Sequence, residues 1–345
     1  MSTQLTQSQA NQIDSALHSI YPRLGGGELT QLAKLFGSNG ILRTLRTVLN
    51  PPPPPQPLGG NPPRVSVTVQ LAWIDKRPYA LMHDEQHKVE IADVAVFYFD
   101  TNRWSTGSST TARCLLLQAK AVKTAAQLSA PTVCLNPPAP KSNTTTEREL
   151  RLLSKWPKFD MYLGSNSNIP LATNIQVPFS TSPPPMGWFM GTPMIRPSSS
   201  QVSTWVSPWM CAPADQDHAC DETLGSLLCR HFSGGQSHNI IKRPVDAGAP
   251  FNYNPAFLNR RAPSATNWDL LCIEMIRAVS GQIIPPHLTN GVRQNRSQLA
   301  VMYSFPVWPA LKVLAATALN IFMRFSKKRM PILIVSRVFD ETHDL

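Results

Sequence analysis

Between residues 88 and 123 the chain reads KVEIADVAVFYFD, then TNRWSTGSSTTA, then RCLLLQAKAVK. Two apolar runs of strand length flank a Ser/Thr/Gly/Asn stretch, which is the pattern of a hairpin. The first run, residues 89–99, is rich in Val, Ile, Phe and Tyr and is apolar on both alternating faces, as a strand covered on both sides should be. Two carboxylates fall inside it, and Glu90, three positions before Asp93, is expected on the opposite face of the sheet, which leaves Asp93 as the acid of interest. The second run, residues 113–120, ends in Gln118-Ala119-Lys120. Side chains at i and i+2 of a strand share a face and stand roughly 6–7 Å apart. Gln118 and Lys120 therefore point the same way, and pairing of the two strands brings Asp93 beside them.

Placing an acid, an amide and an ammonium within apolar strands costs on the order of several kcal/mol unless they are paired or hold an ion. An Asp carboxylate and a Gln carbonyl are hard oxygen ligands suited to Mg²⁺, or to Mn²⁺. A neighbouring Lys can orient a water or stabilise charge on a scissile phosphate. The residue types alone leave a second reading open, a structural ion pair between Asp93 and Lys120 at a strand end.

An Asp in one strand, 25 positions before a hydrophobic strand ending Gln-x-Lys, resembles the PD-(D/E)XK nuclease superfamily. The resemblance implies an α/β (α+β) fold with a restriction-endonuclease-like core: a central mixed sheet flanked by helices, here with a Pro-rich loop and a C-terminal extension. It also implies that Asp93 and residue 118 bind a divalent metal and that Lys120 assists phosphodiester hydrolysis. Gln118 stands where most members carry an acid, a departure that Mrr-like enzymes share and that lowers the charge of the metal site. Ala92, not Pro, precedes Asp93. Many relatives add an acidic residue from the first helix, and Glu28 is its counterpart here. The matched segment covers about 35 of the 345 residues.

The net charge of +11 points to an anionic partner, nucleic acid before an acidic membrane. Arg113 and Lys123 are the expected phosphate contacts beside the site. The hydrophobic share of 42% supports a folded core rather than disorder, and 33 prolines argue against many long helices. Six cysteines lie scattered without a CxxC pair, and residues 1–20 lack the apolar core of a signal peptide, so a cytoplasmic protein with free thiols is expected. Cys211, His218, Cys220, Cys229 and His231 fall within 21 residues, but their spacing matches no standard zinc module, and zinc is not expected.

Taken in order, residues 8–20 and 28–36 carry helical apolar faces, and 41–49 is a further short helix. Residues 51–63, PPPPPQPLGGNPP, form a polyproline-type linker. Residues 64–74 alternate as a strand. Helix, strand, strand with Asp and strand with Gln-x-Lys follow one another as the suspected fold requires. A helix over 144–156, a strand over 159–163 and long loops over 164–204 come next. Residues 223–232 and 268–279 read as helices, and 331–335 as a final strand. Residues 307–325 are the longest apolar stretch, but they hold Lys312, Asn320 and Arg324, so a buried helix is expected rather than a membrane span. The expected organisation is N-terminal helices and linker (1–62), a nuclease-like core (63–165) and a loop-rich C-terminal region (166–345).

Two function classes follow. The first is a metal-dependent endonuclease acting on nucleic acid, DNA before RNA, as a restriction or anti-phage defence effector. The second is a non-catalytic nucleic-acid-binding or assembly subunit that keeps the nuclease fold. A membrane-associated protein anchored by 307–325 is a weaker third. A homo-oligomer and a partner defence subunit are both compatible with the chain, and no membrane partner is expected.

Overall fold

The computed structural model describes residues 5–20, 31–32, 35–36, 39–50, 64–74, 77–104, 106–122, 145–193, 209–214, 220, 222–234, 246–254, 267–279 and 330–340. Its centre is the hairpin of β4 (Val94–Trp104) and β5 (Gly107–Val122), antiparallel from Val94↔Leu117 to Trp104↔Gly107. The strands run straight through the Thr/Ser-rich stretch expected as a turn. Thr and Ser suit a pleated surface, and Thr101 and Thr110 meet hydroxyl to hydroxyl at 2.9 Å across the pair.

Strands from distant parts of the chain extend the hairpin. On one side β12 (Met330–Asp340) lies parallel to β4, and β1 (Arg64–Ile74) pairs antiparallel with β12. On the other side β8 (Gly187–Pro193) is parallel to β5, followed by β9 (Met210–Pro213) and β10 (Glu222–Thr223). The short β11 (Ala249–Phe251) also pairs with β5. The sheet is therefore mixed, in the order β1-β12-β4-β5-β8-β9-β10. The expected division at 165/166 runs through this sheet, since β8, β9 and β12 all come from beyond it. β12 is a central strand, and its run Ile332-Leu333-Ile334-Val335 is buried on both faces.

Helices cover both faces. On one face α1 (Gln7–Ile20), α2 (Asn39–Leu49) and a helix later in the chain, residues 224–232, enclose a core with Val94, Val96, Leu115, Leu117, Leu333 and Val335. On the other, α3 (Thr145–Lys155), the 224–232 helix's successor at residues 267–279, and a second antiparallel sheet enclose Ala95, Phe97, Leu116, Phe189, Ile332 and Ile334. These two later helices are α4 (Leu224–Phe232) and α5 (Asn267–Val279). The second sheet has the order β3-β2-β6-β7, made of β2 (Pro78–Met82), β3 (Val89–Glu90), β6 (Phe159–Leu163) and β7 (Ala172–Ile175).

One expectation is corrected here. Residues 89–99 are not a single strand, because β3 belongs to the small sheet and β4 to the large one. The chain crosses between them at 91–93: the Ile91 N–H donates to Pro78 O at 3.0 Å and the Asp93 N–H to Leu117 O at 3.0 Å. Asp93 consequently precedes β4 rather than lying within it.

Residues 31, 32, 35 and 36 are helical and buried, within the second expected N-terminal helix. The Pro-rich linker, Glu28, Lys123, His218 and the apolar stretch 307–325 lie outside the described residues. Among the described residues no helix is long and apolar enough to cross a membrane.

Candidate functional site

The β4–β5 register decides which side chains meet. Val94 opposes Leu117, so the preceding residue, Asp93, stands opposite Gln118. Alternation then sorts β5: Leu115, Leu117 and Ala119 face α1 and α4, whereas Cys114, Leu116 and Gln118 face α3 and α5. Gln118 Nε2 donates to Asp93 Oδ2 at 2.5 Å, and the Ala119 N–H donates to the same oxygen at 2.9 Å. Gln118 Oε1 is buried and has no hydrogen-bond partner among the described residues. Two residues further along, on the same strand face, Lys120 Nζ forms a close ion pair with Glu149 Oε2.

Glu149 reaches Lys120 from α3. That helix turns Leu150, Leu152 and Leu153 into the core, and Glu149 is buried beside them. Gly187, the first residue of β8, sets how closely α3 can approach. A Cβ at Gly187 would lie 2.9 Å from Leu153 Cβ, so only glycine leaves room for the helix at this separation.

Burial pushes the Asp93 carboxyl up to about 8, and the nearby Glu90 charge pushes the same way. The Lys120 ammonium and the Ala119 N–H oppose that rise, and Glu149 adds to it. Glu90 itself is held on β3 by Arg77 and by the Tyr79 hydroxyl at 2.9 Å. Burial and the Glu90 charge in turn raise the Tyr79 phenol to about 12. Glu90, expected on the opposite face of a continuous strand, thus acts electrostatically on Asp93. Once the strand is broken at 91–93, the alternation that separated the two residues no longer applies.

Of the expected site residues, Asp93, Gln118 and Lys120 lie at one end of the β4–β5 pair and on one face. Arg113 does not join them. It projects to the α4 side, where its Nη2 donates to Gly248 O at 2.7 Å, and burial lowers its pKa. Arg113 thus ties β5 to the 247–248 segment, on the other side of the sheet from Asp93, Gln118 and Lys120. Of the residues considered for zinc, Cys211 on β9, Cys220, and Cys229 and His231 on α4 are all buried. His231 Nδ1 lies 3.2 Å from Ala247 O, and burial with the nearby Arg113 charge pulls its pKa down to about 3.

Sequence reasoning missed Glu149. Its signal was a carboxylate set within the leucine face of a helix, TTERELRLLSK, where solvent-facing acids belong on the other side.

The donor set is compatible with a hard divalent cation. The oxygens at hand are the Asp93 carboxylate, the Glu149 carboxylate and the Gln118 amide oxygen, which is left without a partner among the described residues while Nε2 faces Asp93. Among the described residues no group of three or more His, Cys, Asp or Glu side chains is placed to hold a metal ion. No protein-family model, curated protein or solved structure matches the chain.

Proposed function

We propose that the chain is a metal-dependent nuclease with a restriction-endonuclease-like core that hydrolyses phosphodiester bonds of nucleic acid, DNA before RNA, in a restriction or anti-phage defence role. One observation carries this reading: Asp93 and Gln118 are in contact across a strand pair, and Lys120 is the next residue on that face. The order of an antiparallel hairpin, a helix over its face and a strand parallel to the second hairpin strand supports it. Asp93 and Gln118 would hold Mg²⁺ or Mn²⁺, which when bound supplies a Lewis acid and an acidified water. The Asp93 carboxylate would be the first donor, its Oδ2 held by the Ala119 N–H, and the Gln118 amide, whose Nε2 now faces Asp93, would turn its oxygen to the cation. Lys120 supplies positive charge where a phosphate would accumulate negative charge. The net charge of +11 favours a polyanionic substrate.

The test is cleavage of plasmid, linear DNA and RNA by the purified chain with Mg²⁺, with Mn²⁺ and with chelator. Asp93→Ala and Lys120→Ala should each lose roughly 100- to 1000-fold in rate. Folded protein that does not cut with either cation, or variants that cut as fast as the parent, would overturn the reading.

The pairing of Lys120 with Glu149 favours a second reading, a nucleic-acid-binding subunit that keeps this fold without cutting. It predicts salt-sensitive binding to nucleic acid and no cleavage under any of these conditions.

A further inference from the structure

A second buried acid, Glu149 on α3, lies on Lys120 beside Asp93 and Gln118. Gln118 is 2% exposed, and its amide oxygen has no hydrogen-bond partner among the described residues. A buried unpartnered acceptor is destabilising, and any donor or cation that fills the position relieves it. Asp93 holds the other end of the same amide, accepting from Gln118 Nε2 at 2.5 Å. Lys120 follows Gln118 on the same face, and the buried Glu149 lies on its ammonium. Glu149 is also close enough to Asp93 for its charge to bear on that carboxyl. The approach of α3 that brings Glu149 here depends on Gly187, which admits Leu153 against β8. No other carboxylate on α3 is buried: Glu147, in the first turn, is half-buried.

We propose that Glu149 is the second carboxylate ligand of a divalent-cation site formed with Asp93 and the Gln118 amide oxygen, so that a helix after the hairpin supplies the acid that position 118 lacks. This rests on the nuclease reading for the identity of the site, but its test reads cation binding and not cleavage. An acid contributed by α3 makes the position of that helix part of the site. It also sets Glu149 between the cation and Lys120, which keeps the ammonium beside the metal.

The experiment is a titration of the full-length, metal-stripped chain with Mn²⁺, following the free-ion electron paramagnetic resonance signal. Glu149→Gln should weaken Mn²⁺ binding roughly 10- to 100-fold. Glu149→Gln combined with Gln118→Glu, which restores a carboxylate from the strand, should return affinity to about the parent value. Should Glu149→Gln alone not fold, Lys120→Met/Glu149→Gln is compared with Lys120→Met, and the same loss is expected. The proposal is overturned if Glu149→Gln binds Mn²⁺ as tightly as the parent, or if adding Gln118→Glu recovers nothing. Unchanged binding in Glu149→Gln with a loss in Asp93→Asn would sink Glu149 alone and leave the nuclease reading standing. Absence of Mn²⁺ binding by the parent chain would sink both.

Discussion

Asp93→Asn separates the electrostatics of the site from its packing. The substitution keeps the shape of the side chain and leaves an oxygen to accept from the Ala119 N–H and Gln118 Nε2. It removes only the option of ionising. In the folded, metal-free chain Asp93 keeps its proton up to about 8, because burial and Glu90 oppose its charge. In the unfolded chain it ionises near 3.8. The folded pKa is the raised one, so folding takes up a proton between these values. Stability from this group is fully present below the unfolded pKa and is lost as pH rises toward the folded one. The rate of loss is about 1.4 kcal/mol for each pH unit. The Asn variant has no such dependence. Its stability relative to the parent should therefore increase by roughly 3 kcal/mol between about pH 5.5 and about pH 7.5. Urea unfolding of both proteins in chelator, at both pH values, measures the difference directly. Excess Mg²⁺ should narrow the gap at the higher pH, because a bound cation favours the ionised carboxylate of the parent. A gap that does not change with pH would refute the placement of a buried, proton-retaining Asp93 beside Glu90.

Two further outcomes follow from the packing around the site. Lys120→Met leaves Glu149 buried without its ammonium and should lower unfolding stability by about 3 kcal/mol, whereas Lys120→Met/Glu149→Gln should recover part of that loss in a double-mutant cycle. Gly187→Ala forces a Cβ against Leu153 and should cost about 1–3 kcal/mol by thermal or urea unfolding, with Leu153→Ala in the same chain reversing part of the effect.

Much of the chemistry was legible in local pattern. The period of two along residues 113–120 is enough to put Gln118 and Lys120 on one face, and the period of 3.6 marks α1, α3, α4 and α5. These are properties of short windows, where backbone geometry alone sets the direction of each side chain. What the pattern could not supply is partnership between windows. Whether Asp93 shares the face of Gln118 depends on register, and a slip of one residue would have turned it to the α1 side. The break at 91–93 is decided by two sheets competing for one apolar run, with Pro78 O taking the Ile91 N–H and Leu117 O the Asp93 N–H. The apolar run at 331–335 announced a buried strand but not its neighbours, β1 and β4, which lie more than two hundred residues earlier. Glu149 is the sharpest case. Alone it is an anomalous acid on a leucine face, and it acquires a chemical meaning only when α3, admitted by Gly187, sets it on Lys120. Sequence by itself determined the side chains and the faces they share within an element. Tertiary structure decided which faces meet, because burial free energy is gained from contacts between segments that no local window contains.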